Sequence, residues 1–145
     1  MNSAFSQVKN EIIYQRAIEI IRKSDLLHTY SKQYQCNENI KVSKFYFSFC
    51  EFYSVLDHSI LTDNIKSYCA ENQWMNKKLE KNKILRNVNK KVGRKDLNLL
   101  FTNKIDIFFI AEVKTQKRNN HSILFLFKIE DDKIILQKEM IFFIN

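Results

Sequence analysis

Three residues with the types and spacing of a hydrolytic metal site stand out in the sequence. Within GRKDLNLLFTNKIDIFFIAEVKT, Asp96 heads one apolar run, and Glu112 and Lys114 stand two apart on the next. Two carboxylates hold a hard cation such as Mg²⁺, and a lysine on the same strand face stabilises charge beside the water that the metal activates. Asp57, His58, His121 and Lys138 form a second set, suited to general acid or base work if an apolar cavity gathers them. Each also has a plain structural role. Asp57 and His58 end a predicted helix, His121 begins a predicted strand, and Lys138 can extend its charge to water from an apolar face. The third set is basic: Lys83, Arg86, Lys90, Lys91, Arg94 and Lys95 lie on one predicted helix and its exit, as a phosphate-facing patch or as a solvated helix face. No aromatics interleave with them, so any RNA contact is expected at the backbone. Lys114, Lys117 and Arg118 fall at a predicted hairpin tip, where lysines commonly protect strand ends from pairing.

The elements that must position these residues are bounded by composition. A chain of 145 residues, 45% hydrophobic and with twelve Phe, can bury the core of one folded domain. Lys and Arg outnumber Asp and Glu by 24 to 16, and the resulting net charge of +8 favours acidic partners or polyanions without specifying a fold. A single glycine, Gly93, and no proline exclude the Gly-rich phosphate loops and dinucleotide fingerprints. Cys36, Cys50 and Cys69 are far apart, with no CxxC and no paired histidines, so no zinc site and no other cofactor are expected. Their odd number and the lack of a leader-like start point to a reducing, intracellular location. No apolar run reaches the roughly 20 residues needed to cross a bilayer.

The C-terminal third carries the clearest pattern. IDIFFIAEV, HSILFLFKIE and KIILQKEMIFFI, separated by KTQKRNN and DD, predict three consecutive antiparallel strands. A two-residue turn at Asp131 and Asp132 would place Ile129 opposite Ile134, Phe127 opposite Leu136 and Ile123 opposite Met140 on the core face. Leu126 would then face Gln137, and Leu124 would face Glu139. Phe108, Ile110, Leu124, Leu126, Ile135, Ile141 and Phe143 fall on the other face, which is too apolar to meet only water and therefore needs a cover. Upstream, Phe5, Val8, Ile12, Ile13, Ala17, Ile20 and Ile21 predict an amphipathic helix over 5–23, followed by a polar linker at 31–43. A buried helix over 44–58 is expected, although FYFSF also reads as a strand; a short helix follows at 62–72. Trp74 sits in a short strand or turn, 83–92 predicts a helix closed by Gly93, and DLNLLF begins the sheet. Helices first and an antiparallel meander after them make an α+β arrangement.

From residue 41 to 145 this order resembles the nuclear transport factor 2-like family: FYSVLDH ending one helix, then NIKSYC, QWMNKKL, KILRNVNKKVG and the strands. The resemblance implies a cone of curved antiparallel sheet and helices, with residues 1–40 as an added helix and linker. It also implies a protein-binding, non-catalytic role. The family's import carriers hold a small GTPase with an acid beside the tryptophan and acids in a strand loop, whereas here Met75 follows Trp74 and the loop is KTQKRNN. The pattern is closer to the small subunit of the heterodimeric mRNA export receptor, at the nucleus or nuclear envelope. There a homologous cone-fold domain, or a second copy in a homodimer, would cover the second apolar face, with Trp74 among the partner-binding residues. Asp96, Glu112 and Lys114 match instead the G-x-x-D…E-x-K pattern of the PD-(D/E)xK nucleases, and a small pocket enzyme of the cone fold is the remaining alternative.

Overall fold

The computed structural model describes residues 3–72, 80–81, 95–115 and 121–143. Helix α1 (Ser3–Arg22) is followed at once by α2 (Asp25–Gln33), because Ser24 caps α2 by accepting a hydrogen bond from Leu27 N–H at 3.2 Å. The expected linker is thus partly helical. It then becomes strand β1 (Ile40–Phe47), in which Ile40 and Val42 are buried and alternate with the half-exposed Lys41 and Ser43. The helix expected over 44–58 is replaced by the end of this strand and two 3₁₀ helices, Phe49–Val55 and His58–Ile60. Helix α3 (Asp63–Asn72) lies where a helix was expected. Strands β2 (Glu80–Lys81), β3 (Leu97–Thr102), β4 (Phe108–Thr115), β5 (His121–Glu130) and β6 (Lys133–Phe143) complete a six-stranded sheet of order β2-β1-β3-β4-β5-β6.

The architecture is α+β with its first helices ahead of the sheet, but the sheet is mixed, because β1 pairs parallel with β3. Two parallel neighbours need a crossover far longer than a hairpin turn. Here that crossover, residues 48–96, includes both 3₁₀ helices and α3. Phe49, Phe52, Leu56, Leu61, Ile65 and Cys69 pack from it onto Phe108, Ile110, Leu124 and Leu126. The second apolar face is therefore covered by the chain's own residues, and these four side chains, expected to meet a partner, are at most 2% exposed. A disulfide between Cys50 and Cys69 ties the first 3₁₀ helix to α3, in contrast to the expectation that the cysteines stay reduced.

The opposite face meets α1 and α2. Ile13, Tyr14, Ala17, Ile18 and Ile21 pack against Leu97, Leu99, Phe101, Phe109, Phe125 and Phe127, so residues 13–40 share one core with the sheet. The buried stripe of α1 is turned from the expected one, leaving Ile12 47% exposed. Tyr14 explains the turn: its ring meets Phe101 and Phe109 at 4.6 and 5.0 Å, and its hydroxyl donates to Thr102 O at 3.0 Å.

Asp131 and Asp132 form the expected two-residue turn, both with positive φ (49° and 62°), as a type I′ hairpin requires. Ile129 faces Ile134 and Phe127 faces Leu136, as expected. Beyond them a bulge at Gln137 shifts the register, so Leu126 faces Lys138, Leu124 faces Met140, Ile123 faces Ile141 and His121 faces Phe143. One extra residue exchanges the faces of everything after it. Ile141 and Phe143 consequently move to the helix-covered side, while Met140 and Phe142 take their places against the crossover. Ile135 stays on the crossover side but is 36% exposed.

Candidate functional site

Glu112 is the one carboxylate buried in this sheet among the described residues, at 4% exposure on the crossover side of β4. Its neighbours in the ladder are Leu100 and Leu124, which offer nothing polar. Its polar partners come from two residues further along the strands. Ser122 Oγ donates to Glu112 Oε2 at 3.0 Å, and Lys114 Nζ lies 4.0 Å from Oε1. Burial drives the Glu112 carboxyl above its ordinary value, while Lys114 and the Ser122 hydrogen bond oppose the rise. The arrangement can hold a proton and orient a hydroxyl.

The three residues of the metal hypothesis do not converge. Leu100 stands opposite Glu112 and Asn98 opposite Lys114, so Asp96 lies four strand positions from the Glu112 row. At a rise of about 3.3 Å per residue the separation along the strand is about 13 Å, too far for one cation to bind both carboxylates. Among the described residues no group of three His, Cys, Asp or Glu side chains could hold a metal ion.

The second set is divided by the sheet. Asp57 caps the second 3₁₀ helix, with Oδ1 accepting from Ser59 N–H at 3.0 Å and from Ser59 Oγ at 2.7 Å; these bonds, with Lys138 a weaker contributor, hold its carboxyl below the usual range. His58 Nε2 lies 2.7 Å from Tyr53 O, and its ring stacks on Tyr53 at 4.0 Å. Lys138 borders a small apolar gap with Leu56, Ile110, Leu124, Leu126 and Met140 on that same side. His121 is on the other face, its ring 4.0 Å from that of Tyr34 and its Nδ1 3.2 Å from Tyr30 Oη. The sheet thus stands between His121 and the other three.

Of the basic set, Lys95 is exposed in the turn before β3; Lys83, Arg86, Lys90, Lys91 and Arg94, like Trp74, lie outside the described residues. Of the expected partner-contacting side chains, Ile135 and Phe143 remain exposed, at 36% and 62%, on β6, whose single neighbour in the sheet among the described residues is β5. Sequence reasoning missed Ser122, whose signal was a small polar residue inside an otherwise apolar strand. It also missed Arg22 and Lys41, which share a cleft with Glu38, Asn39 and Ile40. Among the described residues no helix is long and apolar enough to cross a membrane. No known protein family, curated protein or solved structure matches the chain.

Proposed function

We propose that the protein is a non-catalytic binding subunit that joins a second copy of itself through the C-terminal half of β6. The observation that carries this reading is the position of β6 at the edge of the sheet, with Phe143 62% exposed at its end. Such an edge offers backbone N–H and C=O groups to another strand. The bulge at Gln137 and the charge of Lys138 interrupt the edge in its middle and confine pairing to the residues beyond. There Met140, Ile141, Phe142 and Phe143 are uncharged, which matters because two copies carrying +8 each repel at long range. A two-fold axis at Ile141 sets Met140 opposite Phe142 on one face and Glu139 opposite Phe143 on the other, with no like charges opposed.

A pairing of this length buries less than the ~1,200 Å² of a standard interface, so the dimer is weak and depends on concentration. Sedimentation equilibrium of the wild type and of Phe143→Lys tests it. The wild type should associate and the variant should not; a wild type that stays monomeric into the millimolar range overturns the reading. Co-purification of a homologous domain in a one-to-one complex would replace the second copy by the heterodimeric partner that the resemblance implies. A role in nucleocytoplasmic mRNA export has that resemblance as its sole support, and identification of the partner from the native source tests it.

A further inference from the structure

The end of the molecule opposite the β5–β6 turn carries a polar cleft of about 500 Å³, lined by Arg22 from the last turn of α1 and by Glu38, Asn39, Ile40 and Lys41. The loop that carries Glu38 to Lys41 is pinned by three hydrogen bonds. Asn37 Oδ1 accepts from Asn39 N–H at 3.1 Å, Asn37 N–H donates to Lys95 O at 3.0 Å, and Asn39 O accepts from Leu97 N–H at 3.0 Å. These bonds fasten the loop to the start of β3, and two cations far apart in the sequence, Arg22 and Lys41, line one depression. The one carboxylate in the lining among the described residues, Glu38, is engaged by His28, with Nδ1 and Oε1 2.5 Å apart. The cleft therefore presents a net positive charge, with the Asn39 amide as a further donor.

We infer that this cleft binds the sugar-phosphate backbone of single-stranded nucleic acid without regard to sequence. Arginine and lysine supply the charge that releases counterions from a phosphate chain. The volume of about 500 Å³ suits one or two nucleotides. Among the described residues no aromatic ring lines it, so those residues offer charge and hydrogen bonds to phosphates and no stacking platform for bases.

The test is fluorescence anisotropy of short labelled oligo(U) and oligo(A) across a series of salt concentrations. The wild type should bind both with similar affinity. Arg22→Glu with Lys41→Glu should bind about tenfold or more weakly, and Arg22→Gln with Lys41→Gln should lower the log-log salt slope by about 1.4, as expected for two lost contacts to a single strand. Lys104→Glu with Lys133→Glu makes the same change in net charge at exposed positions at the other end of the strands and should leave affinity within about twofold of wild type. Circular dichroism of each variant checks the fold. Equal losses in the two Glu pairs would assign binding to net charge and overturn the cleft. Absence of wild-type binding at low salt, or full displacement by millimolar inorganic phosphate, would equally overturn it, the second by showing a site for free anions.

Discussion

Ser122 Oγ donates a 3.0 Å hydrogen bond to Glu112 Oε2 within a part of the sheet where Ser122 is fully buried and Glu112 nearly so. The two residues are ten apart in sequence and lie diagonally across the β4–β5 pair, since Glu112 faces Leu124 directly. A hydroxyl at this place offsets part of the cost of burying a carboxylate and leaves the rest to protonation.

The pH dependence of stability follows from that balance. The folded carboxyl of Glu112 titrates above its ordinary value of 4.5, so in the window between the two values the folded state holds more proton than the unfolded chain. By linkage its contribution is most favourable below 4.5 and is lost as pH rises through the folded pKa. Glu112→Gln keeps an acceptor for Ser122 and removes the charge. It should raise stability at neutral pH by about 1 kcal/mol, about 4 °C in Tm, and flatten this part of the pH profile in thermal melts.

Leu126 separates a partner-covered sheet from one covered by its own chain. It is 2% exposed and packs with the crossover side chains, so Leu126→Glu should unfold the protein or cost about 3 kcal/mol or more by placing a charge in an apolar layer. Urea titration measures this. A variant that loses association yet keeps wild-type stability would show that the face opens to partners.

The Cys50–Cys69 disulfide closes a loop of sequence separation 19 across the cover layer. Replacing both cysteines by serine should lower stability by about 3 kcal/mol, and a thiol reductant should bring the wild type to a similar level. Denaturant midpoints with and without reductant give the comparison. Equal midpoints would mean that the cover is held by its apolar contacts alone.

Asp96 and Glu112 offer a direct test of the metal chemistry. With about 13 Å between their rows along the strands, Mg²⁺ or Mn²⁺ should neither support nucleic-acid cleavage nor raise Tm, and Asp96→Ala should not alter either readout. Metal-dependent cleavage that is lost in both Asp96→Ala and Glu112→Ala would reverse this assignment.

By itself the sequence determined what short-range pattern can encode: the apolar stripe that makes α1 a helix, the start of α3, the runs of β4 to β6, and the turn at Asp131 and Asp132. It also determined that the sheet has two apolar faces and that the second must be covered. Only the tertiary structure decided what covers it, because the answer depends on the parallel pairing of β1 with β3, between residues some 57 positions apart, such as Ile40 and Leu97. A helix-like run at 44–58 hid that strand, and with it the crossover that brings Phe49 to Cys69 over the sheet. The bulge at Gln137 was hidden for a different reason. Alternation gives the two faces of a strand only up to the first extra residue, and nothing local to Leu136, Gln137 and Lys138 shows that the partner strand will skip one. The same limit separated Asp96 from Glu112 and joined Glu112 to Ser122, and it placed Arg22 and Lys41 in one cleft. Spacing along a chain states which residues share a strand face, whereas distance between strands is set by register, and register is fixed by the packing of the whole sheet.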